Sequence, residues 1–181
     1  MSTLTLKELS APTGEVIKIA AGKTLDLNSQ GTLVLPTIPH AKMPTGSVLQ
    51  IVSNTLTTVG TTTSSTLAAL GLSQAITPIS TSSKIYATVT GSAKTHNDVG
   101  TIYTIYRGGT DLKIGGSGMT VIYGGSTGAM TTSFAIQVLD SPNTASAVTY
   151  SVYWRTRDNG NTSQNNWLGG ETTITLMEIA G

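Results

Sequence analysis

Two histidines, His40 and His96, are the natural starting point for acid–base chemistry in this chain. An imidazole oriented by a carboxylate can act as a general base, and His96 has Asp98 two residues away in Ala93-Lys94-Thr95-His96-Asn97-Asp98. That stretch is polar and contains the turn-forming pair Asn-Asp, so the plainer reading is an exposed loop histidine. His40 sits among prolines in a different part of the chain. Glycoside hydrolysis needs two carboxylates facing one cleft. Asp26, Asp98, Asp111, Asp140 and Asp158 are instead scattered over turn or repeat positions, with no spacing that suggests a pair. Glu171 and Glu178 flank or lie on the last strand, where a solvent-facing or inter-subunit role is expected. Gly108-Gly109, Gly115-Gly116-Ser117-Gly118 and Gly124-Gly125 are each followed by a β-type run, whereas a phosphate cradle requires a helix N-terminus and, in the Walker type, a lysine. Cysteine is absent, which removes disulfides, thiolate metal sites and cysteine nucleophiles. The expectation is therefore no catalytic residue, no metal and no cofactor.

Aromatic side chains are the remaining candidates, since amphipathic rings stack on sugars at binding surfaces. Tyr103 and Tyr106 fall on opposite faces of a strand, as do Tyr150 and Tyr153, so one of each pair belongs to a core or an interface. Trp167, in Gln164-Asn165-Asn166-Trp167-Leu168-Gly169-Gly170, is the most loop-like. Trp167, Asn165 and Asn166 are the candidate glycan contacts.

Strands must position any such group. Charged residues make up 10% of the 181, against roughly 25% in an ordinary soluble domain, while hydrophobic content is 38% and threonine is the commonest residue. A chain of this kind covers its surface with hydroxyls and amides and folds as an all-β protein. A net charge of +1 gives no electrostatic case for nucleic acid or an anionic membrane. The N-terminus lacks a basic region leading into an apolar core, so no signal peptide is expected, and no segment suits a membrane span.

Residues 1–12 form an N-terminal peptide. Over 13–36 an apolar-x-apolar doublet returns every eight residues, as Ile17/Ile19, Leu25/Leu27 and Leu33/Leu35, with Gly14, Gly22 and Gly31 in the gaps. Strands this short bury an edge only by stacking, and three turns of one chain make a poor core. The repeat thus reads as a stalk on which several chains wind together. Pro36, Pro39 and Pro44 mark 37–46 as an extended connector without helix. Residues 47–181 read as one β domain of about eight strands with Gly-rich turns, a jelly-roll-like β-sandwich. In it Ile85, Ala87 and Val89 share a face, as do Tyr150, Val152 and Trp154. Thr57 to Ser65 reads as a loop or edge strand, Leu67–Leu72 as one helical turn, and Asp158-Asn159-Gly160-Asn161 as a hairpin turn.

Several segments taken together resemble a module common in bacteriophage fibre proteins, notably those of marine and cyanobacterial phages. They are Met43-Pro44-Thr45-Gly46-Ser47-Val48-Leu49-Gln50, Ser82-Ser83-Lys84-Ile85, Tyr106-Arg107-Gly108-Gly109-Thr110, Leu139-Asp140-Ser141-Pro142, Thr149-Tyr150-Ser151-Val152 and Thr175-Leu176-Met177-Glu178-Ile179. Ala21-Gly22-Lys23-Thr24-Leu25-Asp26-Leu27 resembles the shaft repeat that often precedes that module. The resemblance implies a non-enzymatic virion protein, made in the host cytoplasm. It further implies a homotrimer with an intertwined stalk and a β head for host attachment; residues 1–12 are expected to dock it to other virion proteins. The short N-terminal part raises capsid decoration, as a cement or head-fibre trimer, as the alternative. A carbohydrate-binding module is the remoter one.

Overall fold

Alternating apolar and hydroxyl-bearing residues, broken by Gly, Pro and Asn, specify strands with one face in and one face out. The computed structural model describes residues 39–113, 116–126, 128–157 and 161–181. The docking peptide, the eight-residue repeat and the Asp158–Gly160 part of the hairpin turn lie outside the described residues. Eleven strands are described: β1 (Val48–Leu56), β2 (Gly60–Thr62), β3 (Ala68–Ile76), β4 (Lys84–Thr95), β5 (Gly100–Arg107), β6 (Thr110–Asp111), β7 (Thr120–Tyr123), β8 (Met130–Asp140), β9 (Val148–Thr156), β10 (Ser163–Asn165) and β11 (Thr172–Ile179).

They make two antiparallel sheets. In the first, β8 pairs along β4 from Ile85 opposite Asp140 to Thr95 opposite Met130. A strand has two edges, so β11 and β10 share the other edge of β4 end to end, with β1 and β2 on their far sides. In the second, β9 lies between β3 and β5, and β5 carries β6 and β7 on its outer edge. Leaving aside the short β2, β6 and β10, the pairs are nested: β1 with β11, β3 with β9, β4 with β8, β5 with β7. One long antiparallel ribbon, folded after β5 and rolled so that successive pairs alternate between sheets, is a jelly roll. The all-β sandwich expected from the sequence is what forms. Its strand order, β1-β11-β4-β8 against β3-β9-β5-β7, was not legible there.

The inner faces meet in one core. Ile85, Ala87 and Val89 share it with Tyr150, Val152 and Trp154, as their alternation requires. Tyr103 is fully buried, its ring stacked on Phe134 at 4.1 Å and on Trp154 at 6.0 Å between centroids. Hydroxyls are not confined to the surface: Thr95, Thr101, Thr104, Thr156 and Thr172 are all fully buried. Gly91 marks a close approach, because a Cβ there would run into the Thr172 side chain and the Phe134 ring.

Two local expectations are corrected. Leu67–Leu72 is not a helical turn: Ala68 and Ala69 pair with Trp154 and Tyr153, and the register shifts before Ser73. Gly71, with φ +90°, absorbs the irregularity while Leu70 and Leu72 both enter the core. Cross-strand pairing has overridden helical spacing. The connector also holds a 3-10 turn at His40–Lys42, since Pro39 sits at its N-cap, where the missing N–H costs nothing. The compact unit begins at Pro39 and so takes in all but the first two residues of that segment. Gly46 donates to the Ala180 carbonyl and Ala180 to that of Ser47, both at 2.8 Å.

Candidate functional site

The polar residues of the resemblance-bearing segments converge on one end of the sandwich, the proximal end, where β1 and β4 begin and β11 ends. Asp140 closes β8 in the first sheet; Arg107 closes β5 in the second, and Tyr150 lies beside it on β9. One guanidinium nitrogen of Arg107 donates to both Asp140 oxygens, at 2.8 and 2.6 Å, and the Tyr150 hydroxyl donates to Oδ2 at 2.7 Å. Tyr150 is fully buried; burial first, and then the carboxylate it faces, raise its pKa far above the ordinary phenol value, so it stays a neutral donor. This triad latches sheet to sheet.

A second latch lies across the same end. Glu178 on β11 is fully buried and accepts from the Gln50 amide of β1 and from the Ile79 backbone N–H, the latter at 2.7 Å. Gln50 also donates to the Thr77 carbonyl at 2.8 Å. Burial pushes the Glu178 carboxyl upward, but the hydrogen bonds from Gln50 and from the 79–80 backbone outweigh it and hold the group below its usual range. Glu178 and Asp140 are both register partners of Ile85, so the two latches flank one core residue.

The expected glycan contacts separate. Asn165 and Asn166 are fully buried and serve the protein itself. Asn166 Nδ2 donates to the carbonyls of Leu56 and Thr58 at 2.7 and 3.0 Å, and its Oδ1 accepts from Thr172 at 2.7 Å. Asn165 Oδ1 accepts from the Tyr103 hydroxyl at 3.3 Å. Neither presents surface to a ligand. Trp167 is half-buried, with the Lys94 ammonium 3.7 Å above its ring. The neighbouring Leu168 is 84% exposed and takes φ +57°. Ile17, Ile19, Leu25, Leu27, Leu33 and Leu35, expected from the repeat to form a stalk, lie outside the described residues.

The two histidines stand at opposite ends of β4. His40 lines a cavity of about 330 Å³ with Met43, Leu49, Ile79, Ser82 and Ala180 at the proximal end. His96 follows the far end of the strand and is exposed, as is Asp98. Twelve residues at about 3.4 Å each put about 40 Å between them. Among the carboxylates, Asp111 accepts from Thr104 at 2.6 Å and lies 3.0 Å from the Lys113 ammonium. Asp140 and Glu178 are taken up by the latches. Among the described residues no group of three or more His, Asp or Glu side chains is placed to hold a metal ion.

Sequence reading could not foresee the Arg107–Asp140–Tyr150 triad, whose members come from three strands. Its one signal was that all three residues sit within the segments quoted for the resemblance. The fold and these latches define a jelly-roll sandwich closed at one end by one buried and one half-buried carboxylate. No protein-family model matches the chain, and no curated protein is significantly similar to it.

Proposed function

We propose that this chain is a non-enzymatic structural protein of a phage virion surface. It is a homotrimeric, fibre-like protein, anchored to other virion proteins through residues 1–12 and presenting its jelly-roll head for host attachment. The observation that carries the reading is the convergence of the resemblance-bearing segments. Gln50, Arg107, Asp140, Tyr150 and Glu178 come from five segments scattered over 128 residues, yet they build two latches about one core residue. A chance likeness would leave such residues dispersed over the surface. A shared head fold needs them together.

Two measurements test it: the mass of the purified protein in solution, and electron microscopy of virions labelled with antibody to the head. The expected results are the mass of three chains and label on the particle. A monodisperse monomer, or unlabelled virions, overturns the reading. Label confined to the capsid moves the protein from attachment to decoration.

A further inference from the structure

We propose that the outer face of the first sheet is the surface on which copies of this chain pack about their common axis, the β1 edge of one copy meeting the β8 edge of the next. The inference rests on the oligomeric reading above and names its interface. Register places Ile51, Met177, Tyr86 and Leu139 in one row straight across the sheet. All four point away from the core. Ile51 and Leu139, at the two ends of that row, are 57% and 56% exposed, among the most exposed large apolar side chains of the described residues. The next row is Ser53, Thr175, Thr88 and Gln137, and Gln137 accepts a hydrogen bond from the Tyr86 hydroxyl.

Charge separates this face from its opposite. Among the described residues of β1, β4, β8 and β11 that point outward, only Lys84 and Lys94 are ionised, and they stand at the two ends of β4. Asp140 and Glu178 belong to the inner face. The outer side of the second sheet carries Arg155 beside Ile102, and Asp111 paired with Lys113. A broad uncharged face of hydroxyls, amides and apolar groups is the composition of an interface core, where charged residues are depleted. The 9, 12, 11 and 8 residues of β1, β4, β8 and β11, at about 3.4 Å per residue and about 4.8 Å per strand, give about 650 Å² in projection, most of the roughly 800 Å² that each partner gives to a stable interface.

The row also says how the copies close. A surface that meets itself through two different edges forms a ring when the rotation closes. With the axis along the strands, Ile51 of one copy stands level with Leu139 of the next, and each apolar end finds an apolar partner. Met177 and Tyr86 then line the axis between them.

The natural absence of cysteine makes this directly testable on the full chain. Within one chain Ile51 and Leu139 are three strand spacings apart, about 14 Å, and a disulfide needs Cα atoms within about 7 Å. The Ile51→Cys/Leu139→Cys double variant, brought to the wild-type solution mass under reducing conditions and then oxidised, is expected to give bands of two and three chains on a denaturing gel. Each single variant is expected to stay at one chain. If the reduced double variant loses the wild-type mass, the Ser53→Cys/Gln137→Cys pair in the adjacent row takes its place, with the same expectation. A wild-type mass of three chains without inter-chain bands overturns this face and leaves the proposed function standing. A wild-type mass of one chain overturns both.

Discussion

Asp140 receives three hydrogen bonds: two from Arg107 and one from the buried Tyr150 hydroxyl. Removing the carboxylate leaves the partly exposed guanidinium without its ion-pair partner and the buried phenol without its acceptor. Asp140→Ala is therefore expected to lower stability by about 2–4 kcal/mol, read from the shift of a denaturant midpoint, with Asp140→Asn losing less because an acceptor remains. Glu178 makes a pH prediction. Its pKa lies below the unfolded value, so its contribution is present above the ordinary carboxylate range and is lost as pH falls through the folded value. The wild type should lose melting temperature between about pH 7 and about pH 3 more steeply than Glu178→Gln, whose side chain does not titrate. An equal slope in the two proteins would show that other carboxylates carry the acid response. At this scale the sequence was a partial guide. Asn165 and Asn166 beside a tryptophan look like sugar-binding amides, and nothing local reveals that Thr172 and the Leu56–Thr58 backbone claim Asn166.

Strands were legible wherever alternation was clean. The faces of β4 and β9 came out as their side chains dictate, and the Gly108-Gly109 turn joins β5 to β6 with Gly108 at φ +55°. The failure at Leu67–Leu72 has a physical cause: helical spacing of apolar residues is a local property, and pairing with β9 is not. Two substitutions probe such elements. Gly91 lies where β4 passes Thr172 and Phe134. Gly91→Ala should cost roughly 2 kcal/mol or more, through displacement of Thr172 from Asn166, and calorimetry should record a lower melting temperature. Leu168 is the reverse case, since its side chain is exposed and its backbone is left-handed. Leu168→Gly should stabilise by about 0.5–1 kcal/mol in a denaturant titration, the relief of the left-handed strain exceeding the added entropy of the unfolded chain.

For the molecule as a whole, the stalk expected from the eight-residue repeat and the packing face proposed for the first sheet, charged only at the two ends of β4, both call for further copies of the chain. Replacing Leu25 and Leu27 by Asp should weaken assembly in sedimentation while the head keeps its melting transition, because unpaired charge buried between chains is costly and the head has its own core. Loss of the head transition as well would tie the head's folding to the stalk. All-β class and approximate strand count followed from composition and alternation. Strand order did not, because the nested pairing joins residues as far apart as Val48 and Ile179, a separation that no local pattern encodes.

That outermost pairing has a mechanical consequence. β1 and β11 run antiparallel, and their proximal ends are joined through Ser47 and Ala180. Tension between those two residues would peel the ladder rung by rung. Tension between Ser47 and the Leu168 tip would load every rung in shear at once. A head held at its proximal end and gripped at its far end is thus pulled along its strong direction. A single-molecule pulling experiment with these two attachment geometries should find a markedly higher rupture force in the second.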